Sequence, residues 1–482
     1  MTGPTSDRNR TDLGVCVVGL GRVGLAVAAA FATRGVKVTG VDQDPRRVAM
    51  ANAQLPADDE PGLAEALTGS SLSATTVHVL PIRRSSITYV IVPTPSDDRG
   101  AYELSYVVRA LEQIGHALAD VDDPHTVVLA STVLPGATRS VLQPVLERAA
   151  GRRVGDRLSL CYSPPFVALG SVLADFLNPD FALLGVADGA SDRNVKALYE
   201  QVLGPDVPIK SMSIENAELT KLAVNTYLTM KITFANTLAA LCDHLPGGNV
   251  DAVADAVGTD HRIGPQLLRG GLGYGGPCLP RDNAALALLA ESVGVPTGLP
   301  RGTDAVNRLL ADRMTDALMA RLTPGSTVVI LGLAYKPDTS EAEASPALQL
   351  AQSLARSGIH VVGYDQRAAR SARHHLGDDA TRNSIRIVEE TAALPFAPDL
   401  VVLATPDAGL ADAAIALRPM LLADPWRVIG PQRRPPGTEV IQTGRPTADA
   451  ADDAFASVRN LWATSSPTYQ PPALTDAAEA RG

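Results

Sequence analysis

The sequence predicts an α/β protein in which two parallel-sheet domains are joined by a central helical domain with one long helix. Two blocks of short β-branched runs alternate with helical stretches, a pattern typical of parallel sheets covered by helices on both faces. Between the blocks, residues 215–244 contain neither proline nor glycine and predict one continuous helix. The length of 482 residues also suits about three domains.

We place the domain boundaries where these patterns change. Residues 12–210 form the first α/β domain, 211–322 the central helical domain and 323–443 the second α/β domain. The polar residues 1–11 predict a disordered leader. The Ala/Asp/Ser/Pro-rich composition of residues 444–482 predicts a disordered tail.

The composition excludes two broad classes of protein. With 45% apolar residues the chain can build full hydrophobic cores, so wholesale disorder is excluded. Aromatic residues make up only 4% and the net charge is −10, which argues against base-stacking platforms and against a broad phosphate-backbone footprint. We therefore expect no nucleic-acid partner, although an anionic small ligand stays compatible with local positive charge.

The cysteines and the apolar runs bear on metal sites and location. Cys16, Cys161, Cys242 and Cys278 lie far apart without a C-x-x-C pair, so neither a zinc site nor a disulfide framework is expected. The first residues lack the apolar segment of a signal peptide, and no uncharged apolar run reaches about 18 residues. We expect no membrane partner and a reducing cytoplasmic location.

The first block opens with a dinucleotide-binding pattern. Its β-branched runs predict strands at 15–19, 36–41, 87–92, 126–130, 158–162 and 181–186. Gly19, Gly21, Val23 and Gly24 belong to a Gly-x-Gly-x-x-Gly turn that follows the first strand and opens an Ala-rich helix, which allows a pyrophosphate to approach the helix N-terminus. We therefore predict Rossmann-like domains.

A carboxylate at the end of the next strand favours NAD over NADP. Asp42 follows Gly19 by 23 residues, where it can bind the ribose hydroxyls and would repel a 2′-phosphate. Arg46 and Arg47 lie nearby and weaken that preference. A Rossmann domain that binds another nucleotide, or none, is the alternative.

The long central helix carries a polar stripe. Glu218, Lys221, Asn225 and Asn236 fall within about 60° of one another at 100° per residue. Such a stripe is either a solvated face or the lining of a cleft. The spacing alone does not decide between the two.

The glycine-dense segment 270–276 precedes the most distinctive cysteine. Many glycines let the backbone wrap closely around a ligand, and a single cysteine at the exit of such a loop is a candidate nucleophile. Cys16, Cys161 and Cys242 lie in apolar runs typical of buried cysteines, whereas Cys278 is followed by polar residues. A lysine beside Cys278 would favour its thiolate and stabilise a developing oxyanion.

The third block predicts strands at 328–331, 360–364, 385–388 and 400–404 and a helix over 345–357.

Together, a nicotinamide site and a cysteine nucleophile point to a four-electron oxidation. An alcohol is oxidised to an aldehyde, a thiolate traps the aldehyde, a second NAD oxidises the thiohemiacetal to a thioester, and water releases an acid.

Over roughly residues 13–443, ordered motifs resemble the UDP-glucose/GDP-mannose dehydrogenase family, and within it the branch that acts on UDP-glucose. The motifs that carry this resemblance are the glycine fingerprint with Val41-Asp42, Val92-Pro-Thr94-Pro95, Ser131-Thr132-Val-Leu-Pro-Gly136, Glu215-Asn-Ala-Glu218-Leu-Thr-Lys221-Leu-Ala-Val-Asn225, Asp260-His-Arg262-Ile263, Gly273-Tyr-Gly-Gly-Pro-Cys278-Leu-Pro-Arg-Asp282 and Leu331-Gly-Leu-Ala-Tyr-Lys336-Pro-Asp-Thr339. The resemblance implies a soluble NAD-dependent enzyme that converts UDP-glucose to UDP-glucuronate. It also implies a homodimer or higher homo-oligomer formed through the central domain.

The resemblance further implies a role for individual residues. The implied catalytic residues are Cys278 as nucleophile, Lys221 and Asn225 at the oxyanion and the sugar, Asp282 beside Lys221 or the water, and Thr132 near the nicotinamide. The implied NAD contacts are Gly19, Gly21, Val23, Gly24, Asp42, Arg47, Thr94, Thr132 and Arg281. The implied UDP-sugar contacts are Phe166, Lys221, Asn225, Arg262, Leu267, Gly271, Gly275 and Lys336, with Arg262 reaching the substrate of a neighbouring subunit.

Three positions depart from the family pattern. Pro165 stands where the family has a glutamate beside the nicotinamide, Arg281 stands for a lysine, and Glu343 stands for an arginine that contacts NAD. Proline has no acid–base chemistry, and a carboxylate near a pyrophosphate is unfavourable. We hypothesise that thioester hydrolysis or NAD affinity is weakened.

Two alternatives stay open at this point. The same chemistry could act on UDP-N-acetylhexosamine or GDP-mannose. In the second alternative, Pro165 and Glu343 would mark a paralogue that binds a sugar nucleotide with impaired catalysis.

Overall fold

A computed structural model describes residues 14–56, 59–97, 99–187, 189–377 and 384–446, so the predicted leader and residues 447–482 of the predicted tail lie outside the described residues. The chain divides into two compact units. Unit 1 comprises the described parts of Met1–Tyr227 with Pro277–Gly302 and Asp338–Glu341. Unit 2 comprises Leu228–Gly276, Thr303–Pro337 and the described part of Ala342–Gly482.

Unit 1 is built on an eight-stranded sheet of order β3-β2-β1-β4-β5-β6-β7-β8. The strands are β1 Val15–Val18, β2 Val38–Val41, β3 Ser73–Thr75, β4 Ile87–Val90, β5 His125–Leu129, β6 Leu158–Tyr162, β7 Ala182–Val186 and β8 Ile209–Ser213. The central strand β1 pairs in parallel with β2 on one side and β4 on the other. The chain therefore reverses its direction of winding beside β1, at the edge where the glycine turn begins.

Strand β7 corrects the expectation of a wholly parallel sheet. It runs antiparallel to β6, with Tyr162 opposite Gly185, and parallel to β8. Only residues 163–181, with one short helix, connect β6 to β7, and the chain turns back along the neighbouring strand instead of crossing over. Strands β3 and β8 were not predicted from the sequence, because their residues lack a strong β-branched run.

The helices of the first domain cover both faces of this sheet. They are α1 Arg22–Thr33, α2 Pro45–Asn52, α3 Leu63–Leu67, α4 Val79–Arg84, α5 Ser105–Leu118, α6 Gln143–Ala150, α7 Val172–Leu177 and α8 Gly189–Leu203, with a π-helical turn at Thr138–Leu142 leading into α6. Helix α1 buries every residue from Gly24 to Ala32, most of them alanine or glycine. Its Phe31 ring packs edge-on against Tyr89 of β4, with ring centroids 5.1 Å apart. This packing fixes α1 against the sheet, which positions the glycine turn at its start.

The predicted long helix is confirmed as α9, Ile214–Cys242. The following helices are α10 Val250–Thr259, α11 Leu279–Ser292 and α12 Gly298–Met319. The two compact units divide both α9 and α12 between them. Among the described residues, every helix is too short or too polar to cross a membrane.

Unit 2 contains a six-stranded, wholly parallel sheet of order β11-β10-β9-β12-β13-β14. Its strands are β9 Thr327–Leu331, β10 His360–Tyr364, β11 Ile385–Val388, β12 Leu400–Leu403, β13 Leu421–Ala423 and β14 Glu439–Ile441, and its helices are α13 Pro346–Arg356, α14 Ala369–Leu376 and α15 Ala408–Ala416. The predicted strands and helix of this block are confirmed. The short strands β13 and β14 were missed, since three residues give too little pattern to recognise.

Candidate active site

Two of the three glycines after β1, Gly19 and Gly24, are required by a close backbone approach. Gly19 has a positive φ of 97°, and a Cβ there would collide with the carbonyl oxygen of Ile91. A Cβ on Gly24 would collide with the carbonyl oxygen of Gly19. Gly21 is the extended N-cap of α1 and makes no side-chain cap. A helix N-terminus without a side-chain cap suits an anionic ligand such as a pyrophosphate.

Asp42 is held at the end of β2, beside this turn. Its Oδ2 accepts a hydrogen bond from the Leu20 backbone N–H at 2.7 Å, and its Oδ1 accepts one from the Asp44 N–H at 2.9 Å. A Cβ on Gly21 would lie 3.0 Å from a guanidinium nitrogen of Arg47. Asp42 and Arg47 are thus both brought to the glycine turn, as the sequence predicts.

The ends of β4 and β5 are tied together by hydroxyl groups. Thr94 donates to the carbonyl oxygen of Thr132 at 2.8 Å. Ser131 donates to the Val92 carbonyl at 2.8 Å and accepts from the Val92 N–H at 2.9 Å. Thr94 and Thr132 therefore share one rigid edge of the sheet. Ser131 lay within the predicted motif but was not singled out as a site residue.

Cys278 occupies the N-cap of α11 and is exposed. Its carbonyl oxygen accepts from the Asp282 N–H at 2.9 Å, so the two residues open the same helical turn. The positive end of a helix favours a thiolate at such a position. The other three cysteines are buried, as predicted, and the structure forms no disulfide among these four described residues.

Lys221 lies close enough to Cys278 and Asp282 to interact with their charges. Its Nζ donates to the carbonyl oxygen of Pro165 at 2.9 Å and lies 4.7 Å from the centre of the Phe166 ring. Burial lowers the pKa of Lys221 below its ordinary value, while the negative charges of Asp282 and the Cys278 thiolate act in the opposite direction. A desolvated ammonium of this kind interacts strongly with a developing oxyanion.

Asp282 is fully buried and accepts three hydrogen bonds. Its Oδ1 accepts from the Tyr102 hydroxyl at 2.7 Å and from the Arg281 Nε at 3.2 Å. Its Oδ2 accepts from the Asn225 amide nitrogen at 2.6 Å. Asp282 is thus bound to Asn225, Tyr102 and Arg281, whereas Lys221 donates to Pro165. Tyr102 was missed because a lone tyrosine in a loop gives no recognisable motif.

Arg281 faces inward in this structure. Its guanidinium carbon lies 5.1 Å from the centre of the Tyr102 ring, and its Nε pairs with Asp282. Burial lowers the pKa of Arg281, but the charges of Asp282, Tyr102 and Cys278 outweigh burial and raise it above its ordinary value. A cation is therefore kept where the family has lysine. Its predicted contact with NAD stays a prediction.

The polar stripe of α9 is not a solvated face, because three of its four members are buried and Asn225 is partly buried. Glu218, Lys221 and Asn236 are each less than 9% exposed. Glu218 accepts from the backbone N–H groups of Gly136 at 2.6 Å and Thr138 at 2.9 Å, so it supports the π-helical turn. Burial raises the pKa of Glu218, against the effect of these hydrogen bonds. Lys221 and Asn225 are the members of the stripe that join the cluster around Asp282.

The remaining predicted sugar contacts lie in unit 2 and are described within it. Gly271 packs directly on the Trp426 indole, and Gly275 packs on the carbonyl oxygen of Ala344, where in both cases a Cβ would collide. Leu267 has a positive φ of 64° and Lys336 is partly buried. Asn236 accepts from the Gly271 N–H at 2.7 Å, which ties α9 to the glycine-dense loop.

Arg262 is exposed and pairs with Asp260, with 2.5 Å between their charged atoms. This short-range pair holds the guanidinium at the surface of unit 2. The predicted role of Arg262 at a neighbouring subunit stays a prediction.

Sequence reasoning missed the buried Arg427, which organises unit 2. Its side chain is 2% exposed and pairs with Asp251 at 2.8 Å. It also donates to the carbonyl oxygens of Gly270 at 3.0 Å and Thr443 at 2.9 Å. Arg427 therefore anchors the start of the glycine-dense loop to the end of the second sheet.

The acidic segment after Lys336 forms an ion pair with α1 within unit 1. Glu341 pairs with Arg22, the first residue of α1, at 2.6 Å between the charged atoms. Glu343 belongs to unit 2, where its carbonyl oxygen accepts from the Gly276 N–H at 2.9 Å. Glu341, which was not predicted, thus places a carboxylate beside the first residue of α1.

Comparison with protein-family models and known proteins places these features in context. Residues 13–203, 215–309 and 329–431 match the NAD binding, central and UDP binding domains of the UDP-glucose/GDP-mannose dehydrogenase family. The chain is 36% identical over 426 residues to a UDP-glucose 6-dehydrogenase of Haloferax volcanii, covering 86% of this chain and 96% of the relative. A GDP-mannose 6-dehydrogenase of Pseudomonas putida is 30% identical over 378 residues, covering 77% and 85%.

Solved structures give the same result. A UDP-glucose dehydrogenase from Pyrobaculum islandicum superposes with a TM-score of 0.76 at 30% identity, covering 93% of this chain and 97% of that one. A UDP-D-ManNAc dehydrogenase from Pyrococcus horikoshii, at 23% identity and a TM-score of 0.73, covers 90% and 99% and shows the shared fold.

Proposed function

The chain belongs to the UDP-glucose/GDP-mannose dehydrogenase family, and we propose that it oxidises the C6 hydroxyl of UDP-glucose to the carboxylate of UDP-glucuronate. It is an NAD-dependent nucleotide-sugar dehydrogenase, as its matched domains and relatives show. The choice of UDP-glucose is supported by the relatives of 33 and 36% identity that carry that activity. The cluster of Cys278, Lys221, Asn225 and Asp282 supports the chemistry.

The residues around the glycine turn suit NAD. A Cβ on Gly19 or Gly24 would collide with the protein's own backbone, so this tight turn requires glycine at both positions, as dinucleotide-binding turns do. The first N–H groups of α1 would hold the pyrophosphate, and Asp42 would accept from the ribose hydroxyls. NAD, when bound, accepts the hydride in each of the two oxidations. Thr94, Thr132 and Arg281 are the remaining proposed contacts.

Cys278 is the proposed nucleophile. The first oxidation leaves an aldehyde at C6, and the Cys278 thiolate adds to its carbonyl carbon to form a thiohemiacetal. After the second oxidation the sugar is held as a thioester on Sγ. Water then adds to the thioester carbon, the carbon–sulfur bond breaks, and UDP-glucuronate and the thiolate are released.

Lys221 and Asn225 are the proposed oxyanion donors. The buried ammonium of Lys221 would leave the Pro165 carbonyl and donate to the oxygen that becomes negative when the thiolate or water adds to C6. The Asn225 amide has one N–H bound to Asp282 and a second N–H available to the substrate oxygen. Asp282 holds this arrangement together. Phe166, Leu267, Gly271, Gly275 and Lys336 are proposed to bind the rest of the UDP-sugar.

Hydrolysis of the thioester is the proposed slow step. Pro165 offers only a carbonyl oxygen near Lys221, where the family has a carboxylate that could assist water. Rapid quench with UDP-glucose and NAD is expected to show a covalent intermediate accumulating on Cys278. Steady turnover comparable to that of ordinary family members, without accumulation, would contradict this proposal.

A homodimer is proposed through the central helical domain. Tyr227, Phe234 and Leu241 recur every seven residues along α9 and are 53, 50 and 56% exposed, a spacing that forms an apolar stripe on a helix. Arg262 would then reach the substrate of the neighbouring subunit. Light scattering is expected to show a dimer that Phe234→Glu with Leu241→Glu converts to monomer. An unchanged dimer in this double variant would place the interface elsewhere.

We also propose a cytoplasmic location, because four cysteines without a disulfide are typical of proteins in a reducing compartment.

NADH formation with a panel of sugar nucleotides tests the function. Two NADH per UDP-glucose are expected, with Cys278→Ala as the control. The GDP-mannose alternative is favoured by the relatives with that activity, and faster turnover of GDP-mannose or UDP-N-acetylhexosamine would establish it. Tight binding of a sugar nucleotide with no NADH from any of them would instead indicate the catalytically impaired paralogue.

A further inference from the structure

We propose that Tyr102 is a positioning residue for this reaction. Its hydroxyl fixes Asp282, and through Asp282 it sets the orientation of the Asn225 amide. This inference rests on the proposed function, since Asn225 is assigned to the substrate there. Tyr102 belongs to none of the motifs that identify the site in the sequence.

Hydrogen bonds tie together the described residues of the loop that carries Tyr102. This loop follows β4, and its two ends are joined by an antiparallel bridge between Ser96 and Tyr102. The Asp97 carboxylate accepts from the backbone N–H groups of Arg99 and Ala101, each at 2.9 Å. These hydrogen bonds restrain the backbone next to Tyr102.

The loop is also seated against the helix that carries the catalytic cysteine. Gly100 has a positive φ of 91°, and a Cβ there would lie 3.1 Å from the Ala284 methyl group. The Tyr102 ring is 7% exposed and packs with Leu222 of α9 and Ala285 of α11. Tyr102 therefore touches both helices that supply the proposed catalytic groups.

The chemical state of Tyr102 suits a hydrogen-bond donor. Burial, followed by the negative charge of Asp282, raises the pKa of Tyr102 well above its ordinary value. The phenol therefore keeps its proton throughout the working pH range. With only a carboxylate oxygen 2.7 Å away, it donates to Oδ1 of Asp282.

The two carboxylate oxygens of Asp282 bind different partners. Oδ1 accepts from Tyr102 and, at a longer 3.2 Å, from Arg281, while Oδ2 accepts from the Asn225 amide at 2.6 Å. Without the phenol, Oδ1 keeps only the longer hydrogen bond from Arg281, so rotation of the carboxylate is less restrained. Oδ2 then no longer fixes the plane of the Asn225 amide, and the second N–H of that amide is no longer oriented toward the substrate oxygen. Because this N–H is needed most when negative charge develops, the loss falls on kcat.

Tyr102→Phe tests this arrangement, since it removes the hydroxyl and keeps the packed ring. We expect kcat to fall by about 10- to 100-fold, the usual effect of losing a hydrogen bond to a charged group, with KM for UDP-glucose and NAD changed by less than about twofold. Tyr106→Phe is the matched control, because this neighbouring tyrosine is 39% exposed, and it should leave both constants unchanged.

A double-variant cycle separates positioning from simple stabilisation. If Tyr102 acts through Asn225, then Tyr102→Phe should cost little further activity once Asn225 is replaced by Ser. Fully additive losses in kcat, or an unchanged kcat in Tyr102→Phe, would overturn the proposal. A lowered melting temperature with normal kcat would also overturn it.

A measurement that needs no turnover tests the positioning role of Tyr102 independently of the proposed function. The side-chain amide signal of Asn225, identified by its loss in Asn225→Ser, should shift and exchange faster with solvent in Tyr102→Phe but not in Tyr106→Phe. An unmoved signal would overturn the positioning role even if the enzyme proved active. A moved signal in a protein that forms no NADH would uphold the positioning and contradict the proposed function alone.

Discussion

The ammonium of Lys221 donates to the backbone carbonyl oxygen of Pro165 at 2.9 Å. The carbonyl holds the lysine in the wall of the site, but it contributes neither a negative charge nor a proton acceptor for water. A substitution at position 165 therefore changes the hydrolytic chemistry while the contact made by its backbone can persist.

Pro165→Glu is expected to speed thioester hydrolysis. A carboxylate beside Lys221 could take a proton from the attacking water, and general-base assistance of this kind is worth about 100-fold or more. We predict at least about a tenfold rise in the steady rate and loss of the covalent intermediate in rapid quench. Pro164→Glu is the matched control, since it offers the same carboxylate one residue earlier. A steady rate that does not rise in Pro165→Glu would mean that hydrolysis is not limiting.

Cys278→Ala is expected to lower turnover by at least about 1,000-fold, because no other residue in the cluster can form the thioester. Cys242→Ala is the control, since that thiol is buried and burial raises its pKa. Iodoacetamide at neutral pH should label Cys278 and spare Cys16, whose pKa burial raises to about 12. Inactivation that tracks labelling of a cysteine other than Cys278 would contradict the assignment.

The pH dependence of kcat should report Lys221. Burial lowers the pKa of this lysine, so its ammonium, which the oxyanion needs, is lost at a lower pH than in an ordinary lysine. We predict that kcat falls with rising pH below the usual lysine range, and that Lys221→Arg shows lower activity without this alkaline fall. The stability effect has the opposite sign. Since the folded protein gives up the proton first, its free energy of unfolding should rise with pH between the lowered pKa and the ordinary value. An alkaline limb unchanged in Lys221→Arg would assign the titration to another group.

Tyr162 offers a test of a buried polar group. Its side chain is fully buried in the core of the first domain, and among the described residues its hydroxyl has only the Val133 backbone N–H nearby, outside good hydrogen-bond geometry. Tyr162→Phe should therefore raise the free energy of unfolding, by about 1 kcal/mol. Tyr89→Phe is the matched control, because the Tyr89 hydroxyl donates to Tyr199 at 2.6 Å and its loss should destabilise the protein. Equal destabilisation in both variants, measured by denaturant unfolding, would show that the Tyr162 hydroxyl is satisfied.

The sequence was most informative where a residue type is forced by backbone geometry or by chemistry. Gly19 and Gly24 could be assigned because no other residue fits so tight a turn. Cys278 stood out because its surroundings are polar, and α9 because thirty residues pass without a breaker. These features are local in the chain, so a pattern reveals them.

The missed features depend on contacts between distant segments. Tyr102 meets Asp282 across 180 positions in the chain, and Arg427 meets Asp251 across 176. Neither has a spacing that a pattern could reveal. The antiparallel course of β7 was missed for a related reason, because the residues of a buried strand look the same whichever way it runs.

In the proposed mechanism, one cysteine traps the aldehyde left by the first oxidation and carries the sugar through the second oxidation and hydrolysis. Intact-mass spectrometry of the enzyme mixed with UDP-glucose and NAD, together with NADH counted per active site, tests it most directly. We predict a burst of two NADH per site and a UDP-glucuronyl adduct on Cys278 that decays slowly and is absent in Cys278→Ala. NADH formation without an adduct, or an equal burst in Cys278→Ala, would rule out Cys278 as the residue that carries the sugar.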